Sequence, residues 1–435
     1  MRRAKTRRVE RATSVVAVVA LAAVSLLVLA PAPGYDPWMW LLWGREVAHG
    51  TLSTVDGPAF KPLPVAAGAV LAPLGGIAPV VWVLLVRCAL LAAVWLAVRR
   101  AGWVAGLAVL LCGGLVGAGA AGTEPALVLA LALAAAALWD EGRIGWALVC
   151  GAACALLRVE AWPFLAVAGV VAWRRRPDLR PALLGLAVAI PAAWLVPEWL
   201  GSGDVLRSGS RARIPNPGQP ALAGFPALAS LRAAAAIPPW PVWIGLAVLV
   251  ARRDRRALAP VAAGAAWCLL VALMAQAGFS GEPRYALPGA ALIALAGASA
   301  ARTGTVPFLA RRQVAAVGFA VVAIVWAAPQ IAGVHRDQAH AWALQRDLGA
   351  AIEAAGGRER LLACGTPYTG RLRGPLLAYR LGVRKRDVEP DAPPRAPGVT
   401  FRSALRSGGP VEPAAPPWPV ATELGQWEVR VACRN

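Results

Sequence analysis

The chain is 435 residues long, with 44 Lys plus Arg against 23 Asp plus Glu, a formal net charge of +21. Charged residues are only 15% of it and apolar ones 58%, with a mean hydropathy of +0.58, whereas a soluble protein carries roughly a quarter charged residues. This excludes a soluble multidomain protein, and the basic excess is not a nucleic-acid surface, because Lys and Arg stand in short runs between apolar stretches instead of clustering on one polar fold.

Six basic residues among the first eleven precede an apolar run at 14–33. The prolines in Ala30-Pro31-Ala32-Pro33 make a poor signal-peptide cleavage site, so residues 1–13 read as a cytoplasmic N-terminus and 14–33 as a retained first span. Further apolar stretches at 79–98, 102–121, 125–139, 144–157, 161–173, 181–200, 239–251, 257–277, 285–301 and 314–332 bring the expected number of spans to about eleven. Several fall short of the roughly 20 residues that a perpendicular helix needs across the hydrocarbon.

If all eleven cross, the basic runs at 99–100, 143, 174–180, 252–256 and 302–312 share the side of the N-terminus. That side then holds twenty basic residues and the opposite short loops hold eight, in agreement with the positive-inside rule. Reading 144–173 as one long span would invert every later loop. The segment 61–78, with prolines at 62, 64 and 73, reads as interfacial, which makes 34–78 a long first outer loop. The expected architecture is an all-α polytopic membrane domain, 14–334, followed by a small α/β domain outside the cell at 335–435.

In that tail an amphipathic helix is expected at 335–355, ended by Gly356-Gly357, with strands at 360–364 and 427–433 and a helix at 375–381. The Pro-rich stretch 390–419 reads as loop. Five of the seven cysteines fall in spans, where they are small apolar fillers. Cys364 and Cys433 stand alone in the tail, and in an oxidising compartment such a pair can form a disulfide.

Charge inside a membrane protein is informative because it is costly there. Asp36 and Glu46, Glu124, Arg158 and Glu160, and Glu282 and Arg284 all gather at the outer ends of spans, which suggests a polar cavity at the outer surface. Asp36 stands in GYDPWMWLLWGRE. Two readings fit it: an N-cap, with Pro37 at N1, for an interfacial helix running to about His49 with Trp40, Trp43 and Val47 on one face, or a carboxylate base facing the cavity.

An aspartate just after the first span, a long first outer loop, Lys61-Pro62-Leu63-Pro64, the Leu74-Gly75 step, Arg87 within the next span and Arg99-Arg100 at its exit occur here in that order. Together they resemble the glycosyltransferase-C superfamily, and within it the protein mannosyltransferase and aminoarabinose transferase branch. That branch carries Lys-Pro-Pro-Leu; this chain has Leu63 where the second proline would stand. Glu124 and Glu282-Pro283-Arg284-Tyr285 are similar to later points of the same pattern.

The resemblance implies transfer of a sugar from a polyprenyl-phosphate-linked donor to an envelope glycan or protein acceptor on the outer face of the membrane. Nucleotide sugars stay in the cytoplasm, so an outer-facing transferase needs a sugar delivered by lipid. By its match to the family's first-loop aspartate, Asp36 would deprotonate the acceptor hydroxyl for inverting attack. The leaving phosphate needs cationic stabilisation. Lys61 matches the family's loop lysine and is the first choice, with a snorkelling interfacial lysine as its alternative. Arg45, Arg158 and Arg284, beside Glu124, Glu160 and Tyr285, are further candidates for binding lipid phosphate or substrate; a local Arg158–Glu160 pair capping two short helices is the plainer reading of those two. Arg87 is placed either on lipid phosphate or against Glu124.

No phosphate-binding Gly-rich loop, H-E-x-x-H or Cys-x-x-Cys occurs, and His49, His335 and His340 are scattered, so neither a metal nor a cofactor is expected. Two other functions fit the same residues: a carrier or flippase for a lipid-linked or anionic envelope precursor, and a scaffold of the same fold that has lost catalysis.

Overall fold

The computed structural model describes residues 2–253, 255–300, 312–390 and 392–434. Asp254 and residues 302–311, part of the basic runs counted above, lie outside them. The chain opens with α1 (Arg2–Val28), α2 (Tyr35–Ala48), α3 (Pro62–Leu71), a short 3-10 turn (Ala72–Ile77) and α4 (Ala78–Ala101). Then come α5 (Trp103–Leu110), α6 (Leu115–Ala120), α7 (Pro125–Asp140), α8 (Ile144–Leu157), α9 (Trp162–Arg175), α10 (Arg180–Ser202), α11 (Arg207–Ala212), α12 (Pro226–Ala235), α13 (Pro241–Ala251), α14 (Arg255–Gln276), α15 (Pro283–Ser299) and α16 (Arg312–Ala354).

Proline in the first turn opens α3, α4, α7, α9, α10, α12, α13 and α15, where its missing N–H leaves no helical bond unmade. Four described stretches are long and apolar enough to cross a membrane: Pro62–Ala101, Pro177–Ser202, Leu258–Gln276 and Ala316–Ala354. Thr13–Val28, Pro125–Asp140, Ile144–Leu157 and Pro241–Ala251 are shorter apolar helices. The single span expected at 102–121 is instead two short helices, α5 and α6, because the chain breaks at 111–114. There Gly114 takes φ 87° and the Gly113 N–H donates to the Ile237 carbonyl at 2.8 Å.

Helix α15 lies in the middle, buried on nearly every side from Ala286 to Ala298. It touches α14 backbone to backbone, since a Cβ on Gly264 would stand 2.4 Å from the Gly289 carbonyl oxygen. Helices α2 and α3 meet in the same way: a Cβ on Gly44 would stand 2.3 Å from the Gly68 carbonyl carbon. That contact fixes α3, whose N-cap is Lys61, against the helix that carries Asp36.

Helix α2 differs from the expected interfacial helix capped by Asp36 in two respects. Its N-cap is Gly34, no side chain caps it, and Asp36 sits inside the first turn. Nor do Trp40, Trp43 and Val47 form one exposed face, because Trp38, Met39, Trp40, Leu41, Leu42 and Trp43 are all buried while Val47 is exposed. Arg87 is not the partner of Glu124, whose bonds come from Lys61 and Arg158. The Arg87 guanidinium donates to the carbonyls of Ser25 (2.9 Å), Leu29 (2.8 Å) and Ala30 (3.1 Å), satisfying the open end of α1.

Helix α16 is one element where a span and a separate tail helix were expected. Its 43 residues reach about 65 Å at 1.5 Å per residue, far beyond one membrane thickness. Beyond it are α17 (Arg358–Cys364), β1 (Thr366–Thr369), α18 (Gly374–Leu381), β2 (Glu389–Pro390), β3 (Gly398–Ala404), β4 (Val411–Glu412), β5 (Val420–Leu424) and β6 (Trp427–Ala432). The sheet order is β2-β1-β3-β6-β5, with β4 beside β3; β1 pairs parallel with β2 and β3, and the other pairs are antiparallel.

Residues 360–364, expected as a strand, belong to α17, and the stretch expected as loop at 390–419 contains β3, the middle strand of the sheet. Val399, Thr400 and Phe401 are completely buried there, and Phe401 packs edge-on against Trp427. The Trp427 indole donates to the Leu344 carbonyl of α16 at 2.8 Å, and α18 rests on α2 with Tyr379 against Trp38 at 5.2 Å between ring centroids. The small domain therefore sits on the end of the bundle where α2 begins, with Gln345 donating to the Pro33 carbonyl at 3.0 Å.

Candidate functional site

The first turns of α2 and α15 bring Asp36 and Arg284 together, carboxylate Oδ2 to guanidinium Nη2 at 2.8 Å. Arg284 Nε lies 2.9 Å from Glu282, which leads into α15. Arg284 and Glu282 are partly exposed while Asp36 is 7% exposed, so the acid is the inner member of this trio.

A second cluster lies alongside. Lys61 Nζ donates to Glu124 Oε1, and Arg158 Nη1 donates to the same oxygen at 3.1 Å. Arg158 also grips Glu160 with two bonds, from Nε at 3.0 Å and from Nη2. Glu124 is completely buried and its Oε2 makes no hydrogen bond. The Arg158 guanidinium lies 3.7 Å from the centroid of the Tyr285 ring, and Lys61 Nζ lies 5.1 Å from that of Trp40. So Arg158 is both the expected local partner of Glu160 and, across 34 residues, a partner of Glu124.

A cavity of about 320 Å³ opens beside this cluster. Lys61, Arg158, Glu160, Ser208 and Tyr285 form its polar part, and Trp162, Trp194, Leu206, Met274 and Phe279 are among its apolar walls. Lys61 has three N–H groups and spends one on Glu124; Arg158 has five and spends three. The donors left over suit a bidentate anion carried on an apolar chain. A second cavity, about 390 Å³ and almost wholly apolar, lies between α7, α8, α9, α14 and α15; Trp139, Phe164 and Trp267 line it, with Arg100 at its rim paired to Asp140.

Two sequence candidates lie elsewhere. Arg45 donates to the carbonyls of Tyr379 at 3.0 Å and Val383 at 2.9 Å, tying α2 to α18. Its neighbour Glu46 is buried and accepts the Ser53 N–H at 3.0 Å; burial pushes its carboxyl up to about 7. Both border an open cleft with His49, Arg358, Arg384 and Asp387. Cys364 and Cys433 are joined by a disulfide that ties the end of α17 to the residue after β6. Among the described residues no group of three or more His, Cys, Asp or Glu is placed to hold a metal ion.

Sequence reasoning passed over Glu198. It is completely buried in the last turns of α10, accepts a bond from Ser208 Oγ and lies 3.5 Å from Arg207 Nη1. A lone acid in the apolar run Trp194 to Leu200 was the available signal. Arg207 donates to the carbonyls of Gly57 and Pro58, both at 2.9 Å.

No family model matches the chain, and no curated protein matches it. Among solved structures it is similar to ArnT from Cupriavidus metallidurans, determined bound to undecaprenyl phosphate. The identity is 16% and the TM-score 0.57, and the match covers 96% of this chain and 97% of that one. The likeness that residues 34–102 carry in sequence extends, as fold, over nearly the whole length: this is a membrane protein with the ArnT fold.

Proposed function

We propose that the chain is an integral membrane glycosyltransferase that moves a sugar from a polyprenyl-phosphate-linked donor to an envelope acceptor on the outer face of the plasma membrane. The observation that carries this reading is the cavity with apolar walls that ends on Lys61 and Arg158, two cations sharing one buried carboxylate oxygen. A lipid chain suits the walls and a phosphate suits the spare donors. The likeness to ArnT, itself solved with a polyprenyl phosphate, supports the same donor class. In this reading the N-terminus is cytoplasmic, 14–334 form the membrane domain and 335–435 lie outside.

Asp36 serves as the base. It takes the proton of the acceptor hydroxyl; that oxygen bonds to the anomeric carbon as the bond to phosphate oxygen breaks, with inversion, and the phosphate leaves with the electron pair. Lys61 and Arg158 stabilise the negative charge that grows on it. Arg284 orients Asp36 at rest.

The test is mass spectrometry of envelope glycans from a deletion strain. A sugar that is lost on deletion, restored by the wild-type chain and not by Asp36→Asn is the expected result. Restoration by a correctly inserted Asp36→Asn protein would reject Asp36 as base, and an unchanged glycan profile on deletion would reject the transferase reading.

A further inference from the structure

Between α2 and α3 the chain runs through 49–61 without regular secondary structure, and Lys61 is the last residue of that loop. A lysine on a four-carbon stem holds its ammonium in place only if its backbone is held first. The backbone just ahead of it is held from a distant part of the chain. The Phe60 N–H donates to Ser208 Oγ at 2.7 Å, while Arg207 donates to the carbonyls of Pro58 and Gly57. A further contact, from the Thr54 N–H to the Gly201 carbonyl at 3.1 Å, comes from the end of α10.

Both gripping side chains depend on one buried acid. Ser208 Oγ donates to Glu198 Oε1, which aims its lone pairs at the Phe60 N–H, and Arg207 Nη1 lies 3.5 Å from the same oxygen. Glu198 is completely buried and does not line the cavity; Ser208 and Lys61 do. A carboxylate buried this deeply is costly unless its partners repay the lost hydration, and here the partners are the two side chains that clasp the loop.

We propose that Glu198, acting through Ser208 and Arg207, is a positioning residue for Lys61: it locks residues 57–60 so that the ammonium meets the phosphate of a polyprenyl phosphate in the cavity. The role rests on the proposed reading of that cavity. It acts on the phosphate end of the ligand and not on the chain.

The experiment uses the full-length protein in detergent or nanodiscs and measures affinity for undecaprenyl phosphate and for undecaprenol, which lacks the phosphate. Ser208→Ala removes the Ser208 half of the clasp and Ser208→Thr keeps its hydroxyl, while Glu198→Gln replaces the charge-assisted bond with a weaker one. Ser208→Ala and Glu198→Gln are expected to weaken undecaprenyl phosphate binding roughly three- to tenfold, with undecaprenol binding unchanged and Ser208→Thr close to wild type. In a Lys61→Met background neither substitution should have a further effect. Variants that bind the phosphate as tightly as wild type, that lose both lipids equally, or that still weaken binding without Lys61 would overturn the positioning role. A wild-type protein with no preference for the phosphate would overturn the reading of the cavity, and the positioning role with it.

Discussion

Asp36 Oδ2 and Arg284 Nη2 lie 2.8 Å apart, across the contact between the first turns of α2 and α15. Separated by 248 positions in the chain, the two side chains neutralise each other at a place where only 9% of the aspartate side chain is exposed. Removing one partner of such a pair leaves the other charge buried and alone. Arg284→Met is therefore expected to destabilise the protein by roughly 3 kcal/mol. Adding Asp36→Asn should recover part of that loss, which thermal melting of the two variants in detergent measures.

Lys61 shares Glu124 with Arg158, so its removal leaves the carboxylate one partner and the phosphate site one cation fewer. Lys61→Met should lower sugar transfer by about two orders of magnitude, the scale typical of losing one preorganised donor to a developing anion. Lys61→Arg should retain part of the rate. Transfer per mole of inserted protein is the readout.

Glu46 gives the stability of the folded chain a pH dependence. Its folded-state pKa is raised to about 7 by burial, above the ordinary carboxylate value of 4.5, so between those two values the folded chain holds a proton that the unfolded chain has released. Stability from this group is present below about 4.5 and is lost as pH rises to about 7. The melting temperature of wild type minus that of Glu46→Gln should fall across this window. A flat difference would remove the effect.

The Cys364–Cys433 disulfide closes a loop 69 residues long around the small sheet. By the chain-entropy argument it stabilises that domain by about 4 kcal/mol. Cys433→Ser, or reduction, should make the tail selectively sensitive to protease while the helical bundle stays resistant. Limited proteolysis followed by mass spectrometry of the fragments checks this.

Uninterrupted apolar runs are what the sequence states most plainly: α8 fills the run expected at 144–157, and α7, α10 and α14 begin and end within two residues of theirs. Where small residues replace bulky ones the signal weakens. The Gly-rich run at 102–121 hid a break that depends on the Ile237 carbonyl, far along the chain. β3 was hidden by the prolines around it, although Val399, Thr400 and Phe401 have strand character. Asp36, Lys61, Glu124, Arg158, Glu160 and Arg284 could be named from their types and positions. That Glu124 joins Lys61 to Arg158 could not be, because partners 63 and 34 residues apart follow no local period. Asp36-Pro37 looked like a helix cap because local chemistry favours one, and the pairing with Arg284 prevailed. Arg45 looked like a phosphate ligand, and its donors go to the last turn of α18 and the loop beyond it.

The most direct test of the lipid-phosphate site is photo-crosslinking of the purified protein with an undecaprenyl phosphate analogue that carries its reactive group next to the phosphate. Adducts are expected on peptides containing Leu206, Met274 or Phe279, on the cavity that ends at Lys61 and Arg158, and Lys61→Met should reduce them. Labelling confined to the other cavity, around Trp139 and Phe164, or spread evenly over the exposed faces of α10, would contradict the site.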